Sequence, residues 1–145
     1  MPILGGRPST SGRTVSHSTH AAQYQEAAVR SASPGQLVVM VYDHLLLHLR
    51  RTRLAVEQGN AELRAASLDR ARVALGELLA TLDRERGGEI AAQLSGVYAF
   101  LLGELTDFGR RPSVARLDRI IGMADELRGA FAAVAQTAAP VREVA

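Results

Sequence analysis

Proline stands at positions 2, 8, 34, 112 and 140 of this 145-residue chain and nowhere else. A proline inside a helix removes a backbone donor and collides with the preceding turn, so its placement marks where helices can and cannot run. Between these marks, apolar residues recur at intervals of three and four, the period of an amphipathic helix. Ser33-Pro34-Gly35-Gln36 provides a capping side chain, a proline at the first helical position and a glutamine placed to complete a capping box. A helix over 34–58 follows, closed by Gly59-Asn60. Residues 61–85 align Leu68, Leu75, Leu78, Leu79 and Leu82 on one stripe, and Gly87-Gly88 is expected to end that helix. Residues 89–108 step through Ile90, Leu94, Val97, Leu101, Leu105 and Phe108. Residues 113–138 carry Leu117, Ile120, Ile121, Ala124, Leu127, Phe131 and Val134 on one face. A shorter helix over 21–30 has Tyr24 and Val29 as its large anchors.

Short loops between long helices force neighbours to run antiparallel. The expected fold is therefore all-α: an antiparallel up-down four-helix bundle with a short extra N-terminal helix, forming one domain over 20–139. Residues 1–19, rich in Ser, Thr, Gly and Pro without apolar periodicity, are expected to be a disordered tail, and 140–145 a disordered end.

Composition removes several chemistries. All 17 basic residues are arginine, so no lysine is present for a phosphate loop or a Schiff base. Without cysteine there is no thiol nucleophile, thiolate metal site or disulfide. The longest apolar run, Leu37 to Tyr42, stops at Asp43, far short of the ~18 residues of a membrane span. These features lead us to expect a cytoplasmic protein that does not insert in membranes. His44 and His48 have the spacing of a two-histidine helix but lack the glutamate of a metalloprotease motif and further ligands for zinc. They are expected on the polar, solvent-facing edge of their helix. The charged run Asp83 to Glu89 reads as a helix end, a glycine turn and a favourable acid at the next helix start. Arg50, Arg51, Arg53, Arg110 and Arg111 are interleaved with acids, so no basic stripe argues for nucleic acid. Neither an enzyme nor a cofactor is expected.

What remains is an excess of apolar surface. On the helix over 34–58, Leu37, Val38, Val41, Tyr42, Leu45 and Leu49 fill one broad face. Met40 and Leu47 lie beyond one polar edge, while Val39 and Leu46 extend the face on the other side. A helix apolar nearly all round must be covered nearly all round. In a four-helix bundle only part of that surface has a neighbour. The cover could be the N-terminal helix, a second copy of the chain or a foreign segment. Glycines at 76, 96, 103, 122 and 129 inside the other helices suggest close helix contacts or shallow grooves.

Two stretches, QYQEAAVRSASPGQLVVMVYDHLL and LDRERGGEIAAQLSGVYAFLLGEL, closely resemble the flagellin-specific export chaperones, the FliS family. The likeness runs from Tyr24 to Phe131. It implies a cytoplasmic helical bundle that binds the disordered C-terminal segment of flagellin, prevents premature polymerisation, and engages the cytoplasmic domain of the flagellar export-gate protein. By position, Tyr24 corresponds to the family's N-terminal tyrosine, tied to gate docking and to capping the bundle. Leu37, Val38, Met40, Val41, Tyr42 and Leu45 correspond to its apolar second helix, and Leu94, Val97, Tyr98 and Leu101 to a face of its fourth segment. The alternative is a self-associating bundle whose second apolar face is buried in a weak homo-oligomer.

Overall fold

In a computed structural model, residues 12–138 are described, and five helices account for nearly all of them. They are α1 (Gly12–Ser31), α2 (Pro34–Glu57), α3 (Ala61–Ala80), α4 (Arg84–Arg110) and α5 (Val114–Ala138). The chain divides into an N-terminal unit ending at Ala32 and a second unit beginning at Ser33.

The N-terminal unit is helix α1. It begins at Gly12, nine residues before the start read from the sequence, so residues 12–19 of the expected tail are helical. The physical reason is propagation. Once a turn has nucleated around Ala21 and Ala22, each further residue costs only its propensity, and neither proline nor glycine intervenes back to Gly12. At the other end the Ser31 hydroxyl donates to the Ala27 carbonyl (3.0 Å), satisfying an acceptor of the last turn. The remainder of the expected tail and the expected disordered end at 140–145 lie outside the described residues.

In the second unit, α2 starts as its sequence specifies. The Gln36 amide donates to Ser33 Oγ (3.2 Å) and the Ser33 amide donates back to Gln36 Oε1 (2.9 Å), completing the capping box with Pro34 at the first helical position. Its end is a Schellman turn: the Gly59 amide donates to the Val56 carbonyl and the Asn60 amide to the Ala55 carbonyl. Gly59 has φ 65°, a value that a side chain would penalise. Asn60 then caps α3 by accepting from the Leu63 amide (3.0 Å).

The next junction departs from expectation. Helix α3 ends at Ala80, with Thr81 as its C-cap, rather than continuing to 85. Asp83 accepts from the amides of Glu85 and Arg86 and so caps a new helix, α4, within the run read as a helix end. Gly87-Gly88 therefore falls inside α4. Gly88 nevertheless breaks the helix locally, with φ 51° and ψ −123°, which makes 84–87 a separate turn ahead of the long segment.

Helix α2 packs against α3 and α5, α3 against α4, and α4 less extensively against α5, so α2 and α4 face each other across the bundle. Cross-links fix the antiparallel senses. Arg53 Nε pairs with Asp118 (2.6 Å) and Arg128 Nε with Asp43 (2.5 Å), so rising numbers in α2 meet falling numbers in α5. Arg116 pairs with Glu104 between α5 and α4 (3.6 Å). The core is built from Leu45 and Leu49 of α2, Leu75 and Leu78 of α3, Leu101, Leu105 and Phe108 of α4, and Leu117 of α5, all essentially inaccessible. Truncating one such leucine to alanine typically costs about 2–5 kcal/mol. Two polar features interrupt this core. The buried Thr52 hydroxyl donates to the His48 carbonyl (2.7 Å) and lies 2.9 Å from Ser67 Oγ, which itself donates to the Leu63 carbonyl. The hydroxyls of Tyr42 and Tyr98 meet at 2.6 Å across the bundle.

Candidate functional site: an apolar cleft at one end of the bundle

The early end of α3 and the break at Gly88 open one end of the second unit. Leu78 from the end of α3, Leu82 from the turn that follows it, Ile90 and Leu94 from α4, Val38 from the first turns of α2, and Phe131 from α5 line a cleft of about 340 Å³. Its mouth carries Asp83 and Arg86, an exposed ion pair at 3.7 Å. Its floor is aromatic: Tyr98 lines it, the Tyr42 ring lies behind, and Phe131 sits with its centroid 5.4 Å from that of Tyr42. Ile90 is 67 % exposed although apolar and central to this face. A cleft of this kind binds apolar side chains, with selectivity from shape and the charges at its rim. Among the described residues no group of three or more histidines or carboxylates converges as metal ligands would, and no helix is long and apolar enough to cross a membrane.

The residues singled out in the sequence separate into distinct environments. Val38, Leu94 and Tyr98 line the cleft. Val41 and Val97 are half-buried and pack against the core. Met40 is half-buried and Leu37 is 37 % exposed, both on α2. Tyr42, Leu45 and Leu101 are buried in the core, as is the Tyr98 side chain where it meets Tyr42. Tyr24 belongs to α1 and is 79 % exposed. Ile90, Leu82 and Phe131 line the cleft without having been singled out as site residues. The signal for Ile90 was available: it follows a glycine pair, where a broken helix leaves its first apolar residue without a neighbour.

Histidine 48 also departs from expectation. It is buried (8 % exposed) against α3 rather than solvent-facing, its Nδ1 has no hydrogen-bond partner, and burial followed by the nearby Arg51 and Arg70 cations lowers its pKa. His44 beside it is exposed.

The internal glycines serve surfaces rather than tight contacts. Side-chain carbons built at Gly76, Gly96, Gly103, Gly122 and Gly129 would meet nothing within 4 Å. Close approach occurs instead at Gly35, whose added carbon would lie 3.3 Å from the Ala135 side chain, and at Gly109, against Leu68 and Arg72.

A family model described as flagellar protein FliS matches residues 17–138 of this chain. The flagellar secretion chaperone FliS of Salmonella typhimurium is 35 % identical over 107 residues, covering 73 % of this chain and 79 % of that protein. FliS of Bacillus subtilis is 27 % identical over 108 residues, covering 74 % and 80 %. FliSB of Pseudomonas aeruginosa, also a flagellar secretion chaperone, is 27 % identical over 113 residues, covering 75 % and 90 %.

Proposed function

Because this chain belongs to the FliS family of flagellar secretion chaperones, we propose that its cargo is flagellin, bound through the disordered C-terminal segment. The observation that carries this reading is the cleft: apolar, open, and lined from four helices by Val38, Leu78, Leu82, Ile90, Leu94 and Phe131. A segment entering it as an amphipathic helix would bury its own apolar stripe against these side chains, each fully buried side chain contributing ~1.5–3 kcal/mol. Ordering the segment costs ~2–5 kcal/mol or more, so two or three buried anchors are needed before binding becomes net favourable. A flagellin whose C-terminal segment is held in this way cannot use it to polymerise. The chaperone acts stoichiometrically in the cytoplasm, without nucleotide and without covalent chemistry. Delivery follows when α1, with its exposed Tyr24, meets the cytoplasmic domain of the export-gate protein.

The test is co-purification of full-length host flagellin with the wild-type chain and with Leu94→Glu, whose site is half-buried at the cleft wall. The wild type is expected to hold flagellin as a one-to-one complex and delay filament assembly. Leu94→Glu, folded by circular dichroism, is expected to lose the complex, because a carboxylate in an apolar site is left without a partner. Equal capture by both chains would refute the assignment of the cleft.

A further inference from the structure

The cleft leaves one apolar surface unexplained. Opposite the core, α2 presents Met40, His44, Leu47, Arg51 and Leu54 at alternating steps of four and three, with Leu47 43 % and Leu54 46 % exposed. Beside it, α3 presents Ala66, Arg70, Val73, Glu77 and Ala80 at the same steps, with Val73 62 % exposed. Two antiparallel helices with matched outward stripes form a trough that accepts a third helix in the same packing geometry. Between them lies a cleft of about 350 Å³ lined by His44, His48, Arg70, Val73, Ala74 and Glu77. It shares no lining residue with the apolar cleft at the end of the bundle.

Charge identifies the occupant. On the α5 side of α2 the ions are matched: Asp43 with Arg128, Arg50 with Asp125, Arg53 with Asp118. On the α3 side Arg51 and Arg70 make no ion pair among the described residues, and both lie close enough to His48 to act on its charge. Glu77 is the one acid lining that cleft. We propose that the α2–α3 trough is a second docking surface, fitted to an amphipathic helix of another protein whose apolar stripe is bordered by carboxylates. Its apolar residues would cover Val73 and the outward edge of α2 at Leu54, Leu47 lying farther round in the neighbouring α2–α5 cleft with Asp43 and Arg128, and a carboxylate would sit between Arg51 and Arg70. A second copy of this chain fits less well. Its trough carries the same unpaired cations, and its Asp43 is already held by Arg128. The surface therefore gives the chaperone a place for a second protein while the cleft remains free for cargo.

The experiment uses the full chain and two synthetic helices of about 18 residues with the same leucine stripe, one bordered by glutamate and one by lysine, titrated while backbone amide resonances are followed. The glutamate helix is expected to bind, to shift amides of 40–54 and 66–80, and to weaken as salt rises. The exposed double reversal Arg51→Glu with Arg70→Glu is expected to weaken that helix at least about tenfold and to favour the lysine helix instead. Equal binding of the two helices, shifts centred on Ile90 and Leu94, absence of binding, or displacement of the helix by a mixed-sequence DNA duplex would each overturn the proposal.

Discussion

Removing either hydroxyl of the Tyr42–Tyr98 pair is expected to destabilise the protein, whereas removing both is not. The two oxygens lie 2.6 Å apart on rings that are 0 % and 1 % exposed, and neither hydroxyl has another hydrogen-bond partner among the described residues. Burial, reinforced by the mutual hydrogen bond, pushes the Tyr42 phenol far above its ordinary range, so both groups are neutral under all ordinary conditions. Tyr42→Phe leaves the Tyr98 oxygen buried and alone, and Tyr98→Phe does the converse. An unsatisfied buried polar group costs ~1–3 kcal/mol. The pair shares one hydrogen bond between two hydroxyl protons, so one proton already lacks an acceptor. The double phenylalanine variant removes both the bond and that proton at nearly constant shape, and its net cost is expected within about 0.5 kcal/mol of zero. In a bundle of this size 1 kcal/mol corresponds to roughly 4 °C in Tm. Each single variant should therefore melt about 4–12 °C below the wild type, and the double variant within about 2 °C of it. Urea unfolding of all four proteins, followed by circular dichroism, closes the cycle. A double variant whose loss equals the sum of the two single losses would refute the reasoning.

Three further outcomes follow from local geometry. Ser33→Ala removes one half of the capping box and is expected to lower the unfolding free energy by ~1 kcal/mol, measured by urea denaturation. Gly88→Ala places a side chain at φ 51° and ψ −123°, a conformation readily adopted only by glycine, and is expected to cost ~1–3 kcal/mol, although its added carbon meets no neighbour within 4 Å. His48 is held below its ordinary pKa of 6.5 by burial, with Arg51, Arg70 and His44 adding to it, while Glu77 lines the same cleft. The unfolded chain therefore takes up that proton first. Stability is expected to fall as pH drops through 6.5, by no more than about 1.4 kcal/mol per pH unit, until the folded-state pKa is passed. His48→Gln should flatten this slope between pH 7.5 and 5.5, and an unchanged slope would exclude His48 as its source.

Most of the architecture is legible in the sequence because each boundary has its own chemistry. Ser33-Pro34 and Gly59-Asn60 act within a few residues, and their caps form as the local sequence dictates. The α3–α4 junction was misread because Asp83 can either close one helix or open the next, and that choice depends on where Leu78 and Leu82 find neighbours. The early start of α1 was missed because composition reports average disorder and not propagation from a nucleus. Dividing α2 into core and surface was beyond the sequence for a geometric reason. With apolar residues on nearly every side, angular position alone cannot say which faces α3 and α5 will cover. The structure resolves it: Tyr42, Leu45 and Leu49 face inward, Val38 reaches the cleft, and Leu47 and Leu54 remain outside. His48 is the related case, a polar residue drawn inward because the neighbouring Thr52 and Ser67 bring α3 close.

Calorimetric titration of the purified chain with the C-terminal segment of the host's flagellin, at two temperatures, bears most directly on cargo binding. Saturation at one to one, with a clearly negative heat-capacity change, is expected if apolar side chains of the segment fill the cleft. The folded chain giving no heat and no complex at tens of micromolar would contradict it.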